Sequence, residues 1–318
     1  MRPSFYLLIP LALAVLFGGV MFGAEFIAPA DFWRDGALDV VVKIRLTRMA
    51  AAFVIGGALA LSGAGLQVVL RNPLAEPFTL GISGGAGLGA ATALILGWRL
   101  GNVYAVQFSA LVGALAALTV VLWVSRAGAR GENSLLLSGV ITGTMASGVL
   151  MYLVTGASHA ELASVTWWLL GDLQGVNGDF LLPTTFWLIL AGLVFWRYGG
   201  DLNALALGRE AAWNFGVNPR RLTVVVVTLA SLLAAATVAL AGIIGFCGLI
   251  IPAIARKFFG CDHRRLVAPL VLTGGTFLML GDILSRVIFR EREIPLGVIT
   301  AIVGGAIFLY LLNRGRTA

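Results

Sequence analysis

Charge is scarce in this chain. Only 12% of its 318 residues are Asp, Glu, Lys or Arg, while 59% are hydrophobic and the mean hydropathy is +0.96. So few polar groups cannot build the water-facing shell of a soluble domain, and the fold class read from composition is an all-α, polytopic membrane protein. Cysteine is nearly missing. Cys247 and Cys261 would stand about 21 Å apart on one helix, out of disulfide reach. Nor does any spacing suit zinc or an iron–sulfur cluster, so both read as packing residues, with no metal site and no cofactor expected. A GxxxxGK[ST] phosphate loop is lacking, which excludes nucleotide binding by that mechanism. Intramembrane acids are lacking too. Asp282 is the one carboxylate well inside an apolar run, with Arg286 one helical turn on, a local pair near an outer end. Ion-coupled transport has little to work with, so energy for transport has to come from elsewhere.

Histidine is almost as rare. Gly81-Ile82-Ser83-Gly84 matches the GxSG of intramembrane serine proteases, but such a serine needs a histidine base within hydrogen-bond reach. His159 falls in an external loop and His263 in an internal Asp-His-Arg-Arg turn. Ser83 therefore reads as a small polar packing or pathway residue, with the protease kept as an alternative. His159 is either a surface histidine or a metal or haem contact. The formal charge of +7 suggests nucleic acid at first, yet the basic residues sit at the ends of apolar runs rather than on one face. No nucleic-acid partner is expected.

What the chain does have is apolar runs. Ten fit as membrane spans in one compact bundle: approximately 5–23, 49–70, 78–96, 103–124, 135–155, 181–196, 222–240, 245–259, 266–289 and 296–312. The sixth and eighth are short, tilted, broken or partly re-entrant, and Pro252 makes the eighth the least regular. Arg2 and the run after it resemble a secretory signal, but about 18 apolar residues suffice for a retained first span. With both termini cytoplasmic, 14 of the 22 Lys and Arg fall inside, which satisfies the positive-inside bias. Asp31, Asp35, Asp39, Glu161, Asp172 and Asp179 then fall outside, and six tryptophans lie near span ends. Small residues recur every four positions at Gly81, Gly85 and Gly89, at Gly56, Ala60 and Ala64, and at Gly297, Ala301 and Gly305, reading as seams for close helix packing.

One long polar stretch interrupts the spans, Asp201 to Arg221. Leu202 and Leu205 fall three apart, Gly208 breaks the run, and a second turn carries Ala211 and Phe215 before Gly216 closes it. Asn218 and Pro219 read as the cap and first residue of the next helix. Two short helices with a kink between them make a docking surface for something outside the bilayer. An ordinary solvated loop is the alternative.

Several stretches together carry a resemblance. They include Arg45-Leu-Thr-Arg48, Leu70 to Pro77, Leu80 to Gly89, Leu207 to Val217, Gly245 to Pro252, Asp262 to Arg265, Asp282 to Arg286 and Glu293 to Gly297. In order and spacing, over essentially the whole chain, they resemble the FecCD-type permease subunits of bacterial ABC importers for iron siderophores, haem and cobalamin. The resemblance implies a ten-helix subunit in the bacterial inner membrane. A second permease copy would form a homodimer around a central pathway, with a cytoplasmic ABC ATPase dimer below and an external substrate-binding protein above. It implies ATPase coupling through Leu207, Gly208, Arg209, Glu210 and Gly216, and docking of the binding protein through Arg45, Arg48 and Arg286 as exposed external charges. These arginines otherwise read as anchors at lipid headgroups. It further implies a pathway-lining fifth span, where Ser138, Thr142, Thr144 and Ser147 offer a modest polar stripe unless they bond back to their own helix. Two positions depart from the family pattern: Ala253 where a histidine is common, and Arg209 where an acid is usual. The chain itself is then no enzyme. A secondary transporter remains the other transport reading.

Overall fold

The computed structural model describes residues 5–23, 26–28, 30, 40–98, 104–127, 132–176, 178–288 and 293–315. Arg2, Asp31, Asp35, Asp39, Arg130 and Arg316 lie outside the described residues. Within them the chain is helical, with no strand. The order is α1 (Leu8–Met21), a π-helical turn (Val40–Leu46) running into α2 (Thr47–Val69), a 3-10 turn (Pro77–Leu80), α3 (Ile82–Ile95), α4 (Ala105–Ala127) and α5 (Glu132–Thr155). Then come α6 (His159–Leu169), α7 (Gly178–Arg197), α8 (Gly199–Ala206), α9 (Arg209–Asn214), α10 (Pro219–Ala241), α11 (Cys247–Phe259), α12 (His263–Val287) and α13 (Leu296–Gly315).

Six of these helices, α2, α4, α5, α7, α10 and α12, are long and apolar enough to cross a membrane. Three more are apolar but shorter: α1, α3 and the Leu296–Leu311 part of α13. The sixth expected span is therefore not short; α7 runs unbroken for 20 residues, with Pro183 in its second turn. The third expected span is not one helix. Gly81 takes φ +75, a left-handed value that a side chain resists, and this stops the 3-10 turn before α3 starts. At 14 residues α3 reaches about 21 Å, short of a bilayer core. The eighth expected span is a short helix: α11 has 13 residues and begins beside the middle of α2, where Cys247 Sγ lies 3.5 Å from the carbonyl of Gly56.

Glycine seams set the packing. A Cβ on Gly56 would sit 2.1 Å from the Gly274 carbonyl oxygen, and one on Gly63 only 1.8 Å from that of Gly248. So α2 is held backbone to backbone against α12 and α11, with both faces of its long run buried. Gly85 and Gly89 of α3 likewise meet Gly113 and Ser109 of α4. The third expected seam is only half present. Gly297 packs on the Leu170 carbonyl, but Ala301 is exposed and Gly305 faces open space; Gly304 instead meets Phe246.

Two ends of the helical fold are distinct. The basal end holds the end of α2, helices α8 and α9, and the starts of α10 and α12. The distal end holds the start of α2, the end of α12 and the approach to α13. Helix α12 joins them, antiparallel to α2.

Candidate functional site

At the basal end the chain makes the bent pair of short helices expected between Asp201 and Arg221. Leu202 and Leu205 are each 1% exposed and root α8 in the core, and Ala212 roots α9. Gly208 joins them at φ +127, with nothing within 4 Å of a built Cβ, so backbone conformation and not space demands glycine there. Gly216, at φ +77, closes α9. Asn218 then caps α10 by accepting from the Arg221 N–H at 3.1 Å, with Pro219 following. Outward from this base stand Leu207, Trp213 and Phe215, 70%, 66% and 70% exposed, with Arg209 and Glu210 between them. These side chains form an apolar tip beside the charged pair Arg209 and Glu210.

A second basal feature escaped the sequence reading. Asn203 of α8 reaches the turn that opens α12: its amide nitrogen donates to Asp262 Oδ1 at 2.9 Å, and its oxygen accepts from the His263 N–H at 2.9 Å. His263 Nδ1 lies 2.7 Å from the same oxygen and so carries the ring proton. Asp262 also caps α12 through the Arg264 N–H. The hydrogen bond from Asn203 holds the Asp262 carboxyl below its ordinary range.

At the distal end Arg45, Arg48 and Arg286 do not stand out as exposed charges. All three are buried, because each has its partner inside the chain. Arg45 donates to the carbonyls of Val20 and Met21 at 2.9 and 3.0 Å, closing the C-terminal end of α1. Arg48 binds Asp282 at 2.6 Å and Glu293 at 2.8 Å, and Arg286 lies 2.9 Å from the other oxygen of Asp282. That last contact is an ion pair by distance without hydrogen-bond alignment. Gln174 donates to Glu293 at 2.8 Å, so the cluster ties α2, α12, the approach to α13 and the loop after α6. A hollow of about 770 Å³ opens beside it, lined among others by Gln107, Trp167, Trp168, Asp172 and Gln174. Asp282–Arg286 was legible as a turn-spaced pair; Arg48, Glu293 and Gln174 were not, since nothing periodic joins residues more than a hundred positions apart.

Along one side, α5 is largely uncovered. Ser138 is 6% exposed and Thr142 partly buried, while Thr144 and Ser147 are exposed, so the four do not share one environment. Thr144 donates back to the Val140 carbonyl at 2.9 Å. Around them Val140, Met145, Met151 and Tyr152 are bare. Ser83 has no hydrogen bond to either histidine among the described residues, since His263 is held by Asn203 and His159 opens α6. Cys247 and Cys261 are both free thiols, and no cluster of metal-ligating side chains occurs among the described residues.

Comparison with known proteins agrees over the whole length. The chain is 35% identical over 298 residues to the vitamin B12 import system permease protein BtuC of Yersinia pseudotuberculosis, covering 92% of this chain and 87% of that one. It is 34% identical over 280 residues to the uncharacterised ABC transporter permease protein YvrB of Bacillus subtilis, covering 87% and 79%. Among solved structures it superposes on one described as a metal-chelate type ABC transporter in an inward-facing conformation. There the TM-score is 0.87 and the identity 27%, over 97% of this chain and 98% of that one. The model of the FecCD transport family matches residues 10–314, and the chain belongs to that family.

Proposed function

We propose that this chain is the transmembrane permease of an ATP-driven importer that takes up a metal chelate of the cobalamin, siderophore or haem class. The observation that carries the reading is the bent helix pair at the basal end, an apolar tip of Leu207, Trp213 and Phe215 on buried roots, in a chain of the FecCD transport family. A separate ABC ATPase dimer supplies the energy and grips this tip in the cytoplasm. Gly208 and Gly216 set its shape, and Leu207, Arg209 and Glu210 lie in the contact. Both termini are then cytoplasmic, the protein is multi-pass in the inner membrane, and the chain forms about ten crossings, the short α1, α3, α11 and α13 included. A second copy packs on the same membrane-embedded side as α5, and the pathway runs between the copies past Ser138, Thr142, Thr144 and Ser147. The binding protein docks at the distal end. There Arg45, Arg48 and Arg286 contribute by holding the rim in shape, because their charges are already spent inside the chain.

Alternating access follows from this layout: ATP closes the partner dimer, the α8–α9 tip moves with it, and the pathway opens to one side at a time. The test is co-purification of the tagged chain with its genomic neighbours. An importer permease comes out with an ATPase, and Gly208→Trp, which puts a side chain on a backbone at φ +127, releases it and stops ATP-dependent uptake of vitamin B12, a ferric siderophore or haem. A chain that purifies alone and accumulates the chelate without ATP would be a secondary carrier and would sink the proposal.

A further inference from the structure

Asn203 lies on α8, outside the exposed tip, and faces the bundle. One side chain there does what two separate caps do elsewhere in the fold. Its oxygen takes the His263 backbone N–H and the His263 ring at 2.9 and 2.7 Å, and its nitrogen holds Asp262, the residue that caps α12. The amide's orientation is fixed by its neighbours, since a backbone N–H can only donate and a carboxylate can only accept. Around this contact α8 is fastened further. Gly199 lies so close to Arg264 that a Cβ would meet its backbone at 2.6 Å, and the Arg264 guanidinium lies over the Trp196 ring at 4.7 Å. The start of α12 is thereby fastened to α8 by hydrogen bonds, close backbone approach and a ring contact.

Helix α12 also runs continuously to a defined far end, with Pro269 in its second turn. Asp282 lies 19 residues on from His263, roughly 28 Å along the axis. Its middle is locked against α2 through Gly56, Gly274 and Gly275, and its distal end carries the Arg48–Asp282–Arg286 cluster, with Glu293 and Gln174 attached. A displacement applied at Asn203 has a continuous packed route to that cluster and to the hollow lined by Trp167, Trp168 and Asp172.

We propose that Asn203 is the positioning residue that delivers movement of the α8–α9 tip to α12 and through it to the distal cluster. The proposal rests on the importer reading for the source of that movement. It gives Asn203 a task distinct from gripping the ATPase: transmission, with no contact to the partner.

The test uses the permease assembled with its ATPase in vesicles, in a Cys261→Ser background, with a fluorophore on Leu284→Cys near the distal end of α12. Adding ATP changes that signal in the otherwise unaltered complex. In Asn203→Asp, which places a second carboxylate against Asp262, the ATPase still binds and hydrolyses at half the parent rate or better. The Leu284 signal change falls at least fivefold. Pairing Asn203→Asp with Asp262→Asn rebuilds the contact with donor and acceptor exchanged, and restores the signal to within about twofold. Three results overturn the proposal: a single variant whose signal change persists, one in which hydrolysis, assembly and signal fall in the same proportion, or a pair that does not recover. Uptake is scored separately with radiolabelled vitamin B12, a radiolabelled ferric siderophore and radiolabelled haem. A parent complex that shows the signal but accumulates none of the three refutes the importer reading and leaves the transmission result standing on the fluorescence.

Discussion

The distal cluster makes a quantitative prediction. Asp282 is fully buried and, among the described residues, is the one carboxylate paired with Arg286, whereas Arg48 has both Asp282 and Glu293. At 2.9 Å the Asp282–Arg286 attraction is about 5–6 kcal/mol for an effective dielectric of ~20. Replacing Asp282 by Asn keeps the shape but strands the Arg286 guanidinium, 5% exposed, without its paired carboxylate. Orphaning one member of a buried pair typically costs ~3–5 kcal/mol, and that is the expected loss. Glu293→Gln removes a carboxylate that is 29% exposed and leaves Arg48 paired to Asp282, so its cost is ~1 kcal/mol or less. Arg286→Met added to Asp282→Asn removes the stranded charge and recovers most of the loss. Thermal unfolding of the detergent-solubilised protein ranks the four variants: wild type, then Glu293→Gln, then the double, with Asp282→Asn last. If Glu293→Gln costs as much as Asp282→Asn, or if the double is no more stable than Asp282→Asn alone, the cluster is not held together by charge.

Trp213→Ala and Phe215→Ala each weaken capture of the ATPase about tenfold, the ~1.4 kcal/mol expected of an exposed aromatic anchor, without lowering the melting temperature; pull-down titration reads this. Gly56→Leu drives α2 from α12 and costs ~3 kcal/mol or more by overpacking, while Gly305→Ala, facing open space, changes the melting temperature little. A maleimide labels Cys261 on the folded protein and reaches Cys247 only after unfolding, since the first is exposed and the second buried. Because the Asp262 carboxyl is held low by Asn203, its stabilisation is full above the ordinary Asp value near ~3.9 and is lost as pH falls through the lower folded value. The gap in melting temperature between wild type and Asn203→Ala is accordingly widest near neutrality and narrows in acid.

The sequence by itself determined the class of the molecule, the approximate extent of most helices and the bent pair at Gly208. Each of these is written in neighbouring residues: an apolar run long enough to span, a glycine where the backbone must turn left-handed, an Asn-Pro at a helix start. Motif order over the whole chain also pointed to the family. Tertiary structure decided which polar groups meet. Arg48 was expected as an external charge from the family resemblance, yet Asp282 and Glu293, brought beside it by antiparallel packing of α2 on α12, absorb its charge within the chain. The half-length α3 looked like a full span from hydropathy, which registers apolar content and not the break at Gly81. Asn203 carried no signal at all. Its meaning comes from a helix start 60 residues away, and contacts over that separation leave no period to read in the chain.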